Sequence, residues 1–283
     1  METVSISKKQ HKFSEKAPIV VMLLFMVIGF VAPQILGIPL TLLASLTGLS
    51  QAAAGSASMV VLSLILFLIF WLIYRPDYSH PFSMGISFGK LLLLCVPFFV
   101  YAVISVLIPI VVSGKYYFQI TVDKVLLGMQ AGFLEEIVYR VIPIAIGMRF
   151  LKGDKRIWLS LLLTSVVFGL SHATNIFAGA NPVLTVIQVV GTMFIGAFLG
   201  MIYLRTGSVL PTIIIHTLYD LTLFCTVREL SNGLMSDASL LNWTSFLDLG
   251  AAAALAAVSV WLTLRKPAKE QIKAIWDKKW HLA

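Results

Sequence analysis

Eight apolar stretches, each long enough to cross a lipid bilayer, dominate the sequence of this 283-residue chain. Hydrophobic residues make up 59% of it and charged residues only 12%, whereas a soluble domain carries about 25% charged residues. A membrane-spanning helix needs about 20 consecutive apolar residues. The sequence therefore predicts an all-α polytopic membrane protein, a bundle of about eight transmembrane helices near residues 18–36, 55–74, 91–112, 125–148, 158–178, 183–204, 209–227 and 244–264.

Basic residues are distributed unevenly between the segments that join these stretches. If the N-terminus is cytoplasmic, seventeen of the 21 lysines and arginines lie in cytoplasmic segments, and three, Lys115, Lys124 and Arg228, lie on the opposite side. Cytoplasmic loops of membrane proteins carry such an excess. The bias predicts an integral plasma membrane protein, most simply a bacterial one, with both termini in the cytoplasm. It also explains the net charge of +8 without a nucleic-acid partner.

One membrane domain is predicted, with a short basic segment at each end. The three parts are a cytoplasmic N-terminal segment, a transmembrane domain with a motif-bearing core, and a cytoplasmic tail, at residues 1–17, 18–264 (core 124–226) and 265–283. In the tail, one helical face collects the apolar residues Ile272, Ile275, Trp276 and Trp280. This pattern predicts a short amphipathic helix at the cytoplasmic surface.

Charged and histidine residues lie deep within three of the predicted spans: Glu135, Glu136, Arg140, His172, His216 and Asp220. A charge at such depth costs about 2.5–3.5 kcal/mol on insertion scales and usually marks function. At 1.5 Å per residue, Glu135 and His172 lie about 20 Å from the cytoplasmic ends of their spans, and His216 and Asp220 about 10 and 16 Å. This agreement in depth predicts one shared site.

Spacing along each helix predicts which of these residues interact. Glu136 and Arg140 are four residues apart, so they share a helical face and can pair. Such a pair fits a structural role that orients Glu135 as well as it fits a direct catalytic role. Glu135 is rotated by about 100° from Glu136 and is free to face something else. His216 and Asp220 are also four residues apart.

A carboxylate and two histidines at one depth suit two ways of hydrolysing a peptide bond. In the first, Glu135 takes a proton from a water molecule that His172 helps to hold, and His216 with Asp220 stabilises the oxyanion. In the second, Glu135, His172 and His216 bind Zn²⁺, with Asp220 as a fourth ligand or a supporting partner. The helical zinc motif with two histidines four residues apart does not occur in the sequence. Arg140 also adds positive charge, so we favour a site that requires no cofactor.

The same residues give the chain a resemblance to a known family. The order Glu-Glu-x-x-x-Arg, Phe-x-x-x-His and His-x-x-x-Asn/Asp resembles that of the CPBP intramembrane proteases, which include the CAAX prenyl endopeptidases and bacteriocin-processing members. Here these motifs read Glu135-Glu136 to Arg140, Phe168 to His172, and His216 to Asp220. The resemblance implies that Glu135 and His172 activate water and that His216 helps to form an oxyanion site.

One position departs from the usual pattern of that family. Asp220 stands where the family often has asparagine, and an ionised aspartate cannot donate a hydrogen bond to an oxyanion. The resemblance therefore leaves Asp220 either orienting His216 or carrying a proton. It also implies that a bacterial member trims leader, signalling or bacteriocin peptides, and prenylated substrates are not expected.

The sequence thus predicts an intramembrane endopeptidase that acts on a membrane-associated peptide or protein. Two other functions remain open. A proton-coupled transporter also places Glu, His and Asp within the membrane, but it favours inverted repeats and paired broken helices, and the sequence shows neither. A non-catalytic membrane scaffold is the second alternative, although the complete set of polar residues argues against lost activity.

Reporter fusions test the predicted orientation. Because of the uneven distribution of basic residues, we expect a reporter fused after Ala283 to report a cytoplasmic position and one inserted in the loop 228–242 to report an external one. An external C-terminus would overturn the topology and, with it, the depths assigned to the polar residues.

Overall fold

Helices account for most of the chain. The computed structural model describes residues 11–114, 116–230 and 232–282, of which most are helical and none forms a strand. Lys8 and Lys9 of the predicted N-terminal segment lie outside the described residues. The helices are α1 (Lys12–Lys16), α2 (Pro18–Ser45), α3 (Gln51–Tyr74), α4 (Phe88–Ser113), α5 (Val122–Gln130), α6 (Ile142–Phe150), α7 (Lys155–Ser171), α8 (Pro182–Thr206), α9 (Val209–Thr226), α10 (Trp243–Leu264) and α11 (Lys266–Lys279).

Among the described residues, seven helical segments are long and apolar enough to cross a membrane. They begin at Pro18, Gln51, Phe88, Lys155, Pro182, Val209 and Trp243, close to the starts predicted for seven of the eight spans. The α7 segment continues as a 3₁₀ helix, His172–Ala178. The protein is therefore an all-α polytopic membrane bundle, and this prediction is confirmed. The first predicted span, residues 18–36, corresponds to α2, which is longer than predicted and continues to Ser45.

The remaining predicted span is helical but irregular. Helix α5 passes into π-helical turns at Ala131–Glu135 and Ile137–Val141 and continues as α6. We call residues 122–150 the motif helix, since they carry Glu135, Glu136 and Arg140. The π turns divide this run, so no regular α-helix of transmembrane length forms here. A π turn within an α-helix often lies at a functional site.

Side-chain caps and glycines explain where several helices begin and end. Ser50 and Thr121 accept hydrogen bonds from backbone N–H groups in the first turns of α3 and α5. Asn181 caps α8 in the same way, next to Pro182 at its first position. These residues satisfy N–H groups that have no partner within the helix. At its other end α8 stops at Gly207, whose φ of +64° few other residues adopt.

Helix α8 lies in the middle of the bundle and separates two apolar cores. On one side it packs against α7, and on the other against α10. The first core joins α2, α3, the motif helix and α7, with the end of α8. The second joins α4, α8, α9 and α10. The motif helix packs against α9 through α5, which brings the two polar segments predicted to share a site into contact.

The C-terminal tail forms the predicted amphipathic helix, but its apolar face packs against protein. Ile272, Trp276 and Trp280 of α11 are almost completely buried in the first core. The Trp276 indole Nε1 donates a hydrogen bond of 3.0 Å to the carbonyl of Leu204, at the end of α8. The apolar pattern is therefore explained by a protein partner, and the helix closes one end of the bundle.

Ion pairs fasten the polar side of α11 to the start of α7. Arg156 binds Asp277 through two hydrogen bonds, of 2.6 and 3.1 Å. Asp154 lies 2.5 Å from the Lys269 ammonium and 2.8 Å from that of Lys273. Hydrogen bonds from these two lysines lower the pKa of Asp154 to about 2. The Asp154 carboxylate therefore stays ionised throughout the physiological pH range.

Substitution of Trp276 tests the packing of α11. We expect Trp276→Ala to lower the free energy of unfolding by about 3–5 kcal/mol, because it empties a buried site and removes a hydrogen bond. The thermal unfolding midpoint in detergent should fall clearly below that of the wild type. Trp243→Ala, which removes a tryptophan that is 59% exposed, serves as the control and should leave the midpoint nearly unchanged. Equal midpoints for the two variants would contradict the docked position of α11.

Candidate active site

Both glutamates of the motif helix face the same imidazole ring. Glu136 Oε1 lies 2.7 Å from His216 Nδ1, at hydrogen-bond distance, and Glu135 Oε2 lies 3.6 Å from His216 Nε2. From a regular helix we predicted that Glu135 would be free to face something else. Instead, the carboxylates lie at the two nitrogens of one ring. The π turns explain this arrangement, because they have more residues per turn and so rotate successive side chains by a smaller angle.

The predicted pairing of Glu136 with Arg140 is present and completely buried. Arg140 Nη1 lies 2.9 Å from Glu136 Oε1, and both side chains are 0% exposed. The guanidinium carbon also lies 3.7 Å from the centre of the Phe168 ring, on its face, which is a favourable cation–π geometry. Glu136 thus contacts both His216 and Arg140, while Arg140 rests on a residue of α7.

The Phe168 ring brings the two histidines together. Its centre lies 4.9 Å from that of His172 and 6.1 Å from that of His216, in both cases edge to face. His172 Nδ1 lies 3.0 Å from the backbone carbonyl of Phe168. Because a carbonyl only accepts, Nδ1 carries the proton, and Nε2 of a neutral His172 is left as an acceptor. His172 is therefore oriented to receive a hydrogen bond from a water molecule.

The carboxylates of the site differ in their access to solvent. Glu135 is 28% exposed and Asp220 19% exposed, whereas Glu136 is fully buried. Asp220 Oδ2 lies 3.7 Å from His216 Nε2, which is too far for a hydrogen bond but close enough for a charge contact. Two carboxylates therefore border the accessible side of His216, and the third supports it from the buried side.

Glycines allow the helices of the site to approach one another. A Cβ atom added at Gly132 would lie 2.8 Å from the carbonyl oxygen of Ile213 and 2.9 Å from the backbone nitrogen of Thr217, on either side of His216. One added at Gly196 would lie 3.2 Å from Arg140 Nη2. Nothing in the spacing of the motifs connects Gly196 with Arg140.

A second polar cluster lies between α9 and α4, and sequence reasoning missed it. The Tyr219 hydroxyl lies 2.9 Å from that of Tyr101 and 2.8 Å from that of Ser105, both on α4. Tyr219 is the residue before Asp220, so this cluster ties α9 to α4 next to the candidate site. Tyr101 and Ser105 are four residues apart within an apolar span, which was the available signal.

The residues predicted as zinc ligands do not form a metal site. In the part of the chain that the structure describes, no group of three or more His, Cys, Asp or Glu side chains is placed to hold a metal ion. The Nδ1 atoms of both histidines have acceptors, Glu136 for His216 and a carbonyl for His172, so only the two Nε2 atoms could bind a ligand. Arg140 places a further positive charge beside these groups. A role for Zn²⁺ therefore stays a prediction that the described geometry does not support.

Comparison with known proteins agrees with the motifs. Residues 118–222 match the family described as type II CAAX prenyl endopeptidase Rce1-like. All six predicted site residues lie within this segment. No curated protein and no solved structure matches the chain. The family match confirms the resemblance to the CPBP and CAAX proteases and supports, in general terms, an intramembrane protease that acts on a peptide or protein at the lipid bilayer.

The close approach at Gly132 can be tested by adding a single methyl group. We expect Gly132→Ala to destabilise the fold by about 1–3 kcal/mol, because the methyl group would contact the backbone of α9, which cannot move aside easily. The measurement is the thermal unfolding midpoint in detergent. Gly250→Ala in α10 is the matched control, since nothing lies within 4 Å of its added Cβ. We expect it to be neutral or stabilising, since alanine favours a helix over glycine by about 1 kcal/mol.

Proposed function

We propose that this protein is an intramembrane endopeptidase in which Glu135 activates a water molecule to hydrolyse a peptide bond. The observation that supports this role is the difference in exposure between the adjacent glutamates, 28% for Glu135 and 0% for Glu136. A general base must reach the water from which it takes a proton. Glu135 meets this requirement, and Glu136 is enclosed by Arg140 and His216.

The proposed reaction needs one water molecule and one carboxylate. Glu135 takes a proton from water while His172 Nε2 accepts a hydrogen bond from it. The water oxygen attacks the carbonyl carbon of the peptide, and the carbonyl oxygen becomes an oxyanion. When the C–N bond breaks, Glu135 gives its proton to the departing nitrogen. The products are a carboxylic acid and an amine, and Glu135 returns to its ionised form.

His216 is the proposed donor to the oxyanion. Its Nδ1 lies at hydrogen-bond distance from Glu136, whereas Nε2 lies 3.6 Å from Glu135, a charge contact that suits an imidazolium with a proton on each nitrogen. Nδ1 is held by Glu136, so Nε2 points towards the accessible carboxylates and can donate to a developing negative charge. Asp220, 3.7 Å from Nε2, is proposed to favour the charged ring.

Glu136 and Arg140 are proposed to position the other groups. Neither side chain is exposed, so neither can contact a substrate in this arrangement. Glu136 fixes the direction of the His216 ring through Nδ1, and Arg140 balances the charge of Glu136. These are supporting roles, which act on the reaction through the orientation of His216.

An apolar groove beside the site supports a hydrophobic substrate. It has a volume of about 350 Å³ and lies between α3, the motif helix and α9. Four of its lining residues flank the site residues in the sequence: Phe133 and Ile137 flank Glu135, and Ile213 and Thr217 flank His216. Of the described residues that line it, Thr217 alone has a polar side chain. A membrane-associated peptide can therefore place an apolar portion next to the reacting groups without exposing it to water.

The location and the natural substrate are proposed from the sequence. The excess of basic residues on one side favours a plasma membrane, most simply bacterial, with both termini in the cytoplasm. The likeness to CPBP proteases favours leader, signalling or bacteriocin peptides over prenylated peptides as substrates. We also propose that the reaction proceeds without a metal, since no group of described side chains is placed to hold one and Arg140 adds positive charge beside Glu136.

Substitution of each glutamate separates the two proposed roles. We expect Glu135→Gln to reduce cleavage of short hydrophobic peptides by about 10²–10⁴-fold, since it removes the general base. Its thermal unfolding midpoint should stay close to that of the wild type, because Glu135 makes no hydrogen bond with the other residues that the structure describes. Glu136→Gln should lower the midpoint strongly, because removal of one partner from a buried ion pair costs about 3–5 kcal/mol.

Purified full-length protein and its variants would be assayed against a library of hydrophobic and prenylated peptides, with mass spectrometry to locate each cleaved bond. Glu270→Gln, which changes a 63% exposed carboxylate on α11, controls for the loss of one negative charge. Wild-type cleavage by Glu135→Gln would refute the proposed base. Cleavage by no form of the protein, with no precursor accumulating in membranes that lack it, would favour the scaffold function.

The proposed absence of a metal has a direct test. We expect protein treated with a strong zinc chelator and then freed of it to keep its peptidase activity, with less than one equivalent of zinc by elemental analysis. Stoichiometric zinc whose removal abolishes cleavage, and whose return restores it, would show that the zinc mechanism is correct. Magnesium added back in place of zinc controls for non-specific effects of divalent cations.

A further inference from the structure

A second cavity, remote in sequence from the candidate active site, has a basic lining. It has a volume of about 610 Å³ and lies between the loop 75–87 and α11, at the start of α4. We call it the basic cavity. Three lysines line it, Lys90, Lys278 and Lys279, together with His80 and three serines. No aspartate or glutamate is among the described residues that form its walls, so the charge within it is positive.

Hydrogen bonds fix the walls of the basic cavity. The Lys279 ammonium donates to the backbone carbonyls of His80 and Ser83, at 2.5 and 3.0 Å, and so ties α11 to the loop. The same loop is fastened to the turn between α8 and α9, where the Gly85 N–H donates to the carbonyl of Thr206 at 2.7 Å. Burial lowers the pKa of Lys279 to about 8, so most of it is charged at neutral pH. These hydrogen bonds hold the walls of the basic cavity in place without a ligand.

The other two lysines differ from Lys279 in being free to bind a ligand. Lys90 and Lys278 are exposed, and within residues 11–114, 116–230 and 232–282 no carboxylate pairs with either ammonium. Ser83 and Ser87, which also line the cavity, carry hydroxyl groups that can donate hydrogen bonds. Such a set of ammonium and hydroxyl donors, without an acid, suits an anion with several acceptor oxygens.

The position of the basic cavity indicates the source of the anion. It lies where α3 ends and α4 begins, at the level at which these two spans leave the hydrocarbon region. Apolar side chains beside it are exposed, with Phe82 at 52%, Phe88 at 62% and Leu93 at 71%. In a membrane these side chains contact acyl chains, and the phosphate groups of the lipids lie at the next level outward. Basic pockets between transmembrane helices bind phosphorylated lipid headgroups.

We propose that the basic cavity binds the phosphate group of an anionic phospholipid, with Lys90 and Lys278 as its main ligands and Lys279 as part of the wall. The acyl chains would run along the exposed apolar face at the start of α4. The ligand would contact the loop and α11 together, so it would hold the C-terminal helix on the bundle. This inference is independent of the proposed peptidase reaction.

Binding of lipid to the purified full-length protein tests the proposal. Protein in a neutral detergent would be titrated with phosphatidylglycerol, phosphatidylcholine and inorganic phosphate, and bound ligand would be measured by native mass spectrometry. The test variant is Lys90→Gln with Lys278→Gln. The matched control is Lys152→Gln with Lys155→Gln, which removes two exposed lysines at the same end of the bundle but outside the cavity.

We expect the wild type to prefer phosphatidylglycerol to phosphatidylcholine, and the test variant to lose about 10- to 30-fold in affinity for phosphatidylglycerol. The control variant should bind like the wild type. Equal losses in the two variants, or equal binding of the two lipids, would overturn the proposal. If inorganic phosphate bound as tightly as phosphatidylglycerol and depended on the same lysines, the phosphate site would stand, but its ligand would be soluble and not a lipid.

Discussion

A buried ion pair, Glu136 with Arg140, organises the polar centre of this bundle. Neither side chain reaches solvent, and removal of either partner would leave a charge without compensation, at a cost of about 3–5 kcal/mol. Several features follow from the need to keep the pair together. Phe168 offers a ring face to the guanidinium, Gly196 leaves space for it, and the His216 ring lies at hydrogen-bond distance from Glu136. Residues of four helical segments are thereby held around Glu135, the carboxylate that can reach water.

Much of this arrangement could be predicted from the sequence, because the bilayer imposes strong limits. Span length fixes where helices begin, and the cost of burying charge makes Glu135, His172 and His216 conspicuous in an apolar chain. Depth along the spans then predicts that these residues meet. The contact between Glu135 and His216 could not be predicted, since it depends on π turns in the motif helix. Arguments from periodicity assume the regular rotation per residue of an α-helix. No residue type in Ala131–Val141 signals a π turn in place of that regular rotation.

The tail illustrates a different limit of sequence reasoning. The apolar face of α11 was correctly recognised, but an amphipathic pattern shows only that a face avoids water. It does not show whether lipid or protein covers that face. In the structure, Trp276 and Trp280 are covered by the ends of other helices, and the choice depends on features distant in sequence, such as the carbonyl of Leu204 and the carboxylate of Asp154. These contacts join residues more than 70 positions apart, so no local pattern contains them.

The π turns have a consequence for how the motif helix meets its neighbours. Helix α5 packs against α3 and α9, whereas α6 packs against α2 and α7. In an uninterrupted α-helix, the direction of one end would dictate the direction of the other. A π turn acts as an inserted residue and shifts the register between the two ends. Each end can therefore match its own partners, while the intervening residues direct both carboxylates to the two nitrogens of His216. The same irregularity that prevents a regular transmembrane α-helix at this position thus lets a single continuous segment join two separate packing surfaces.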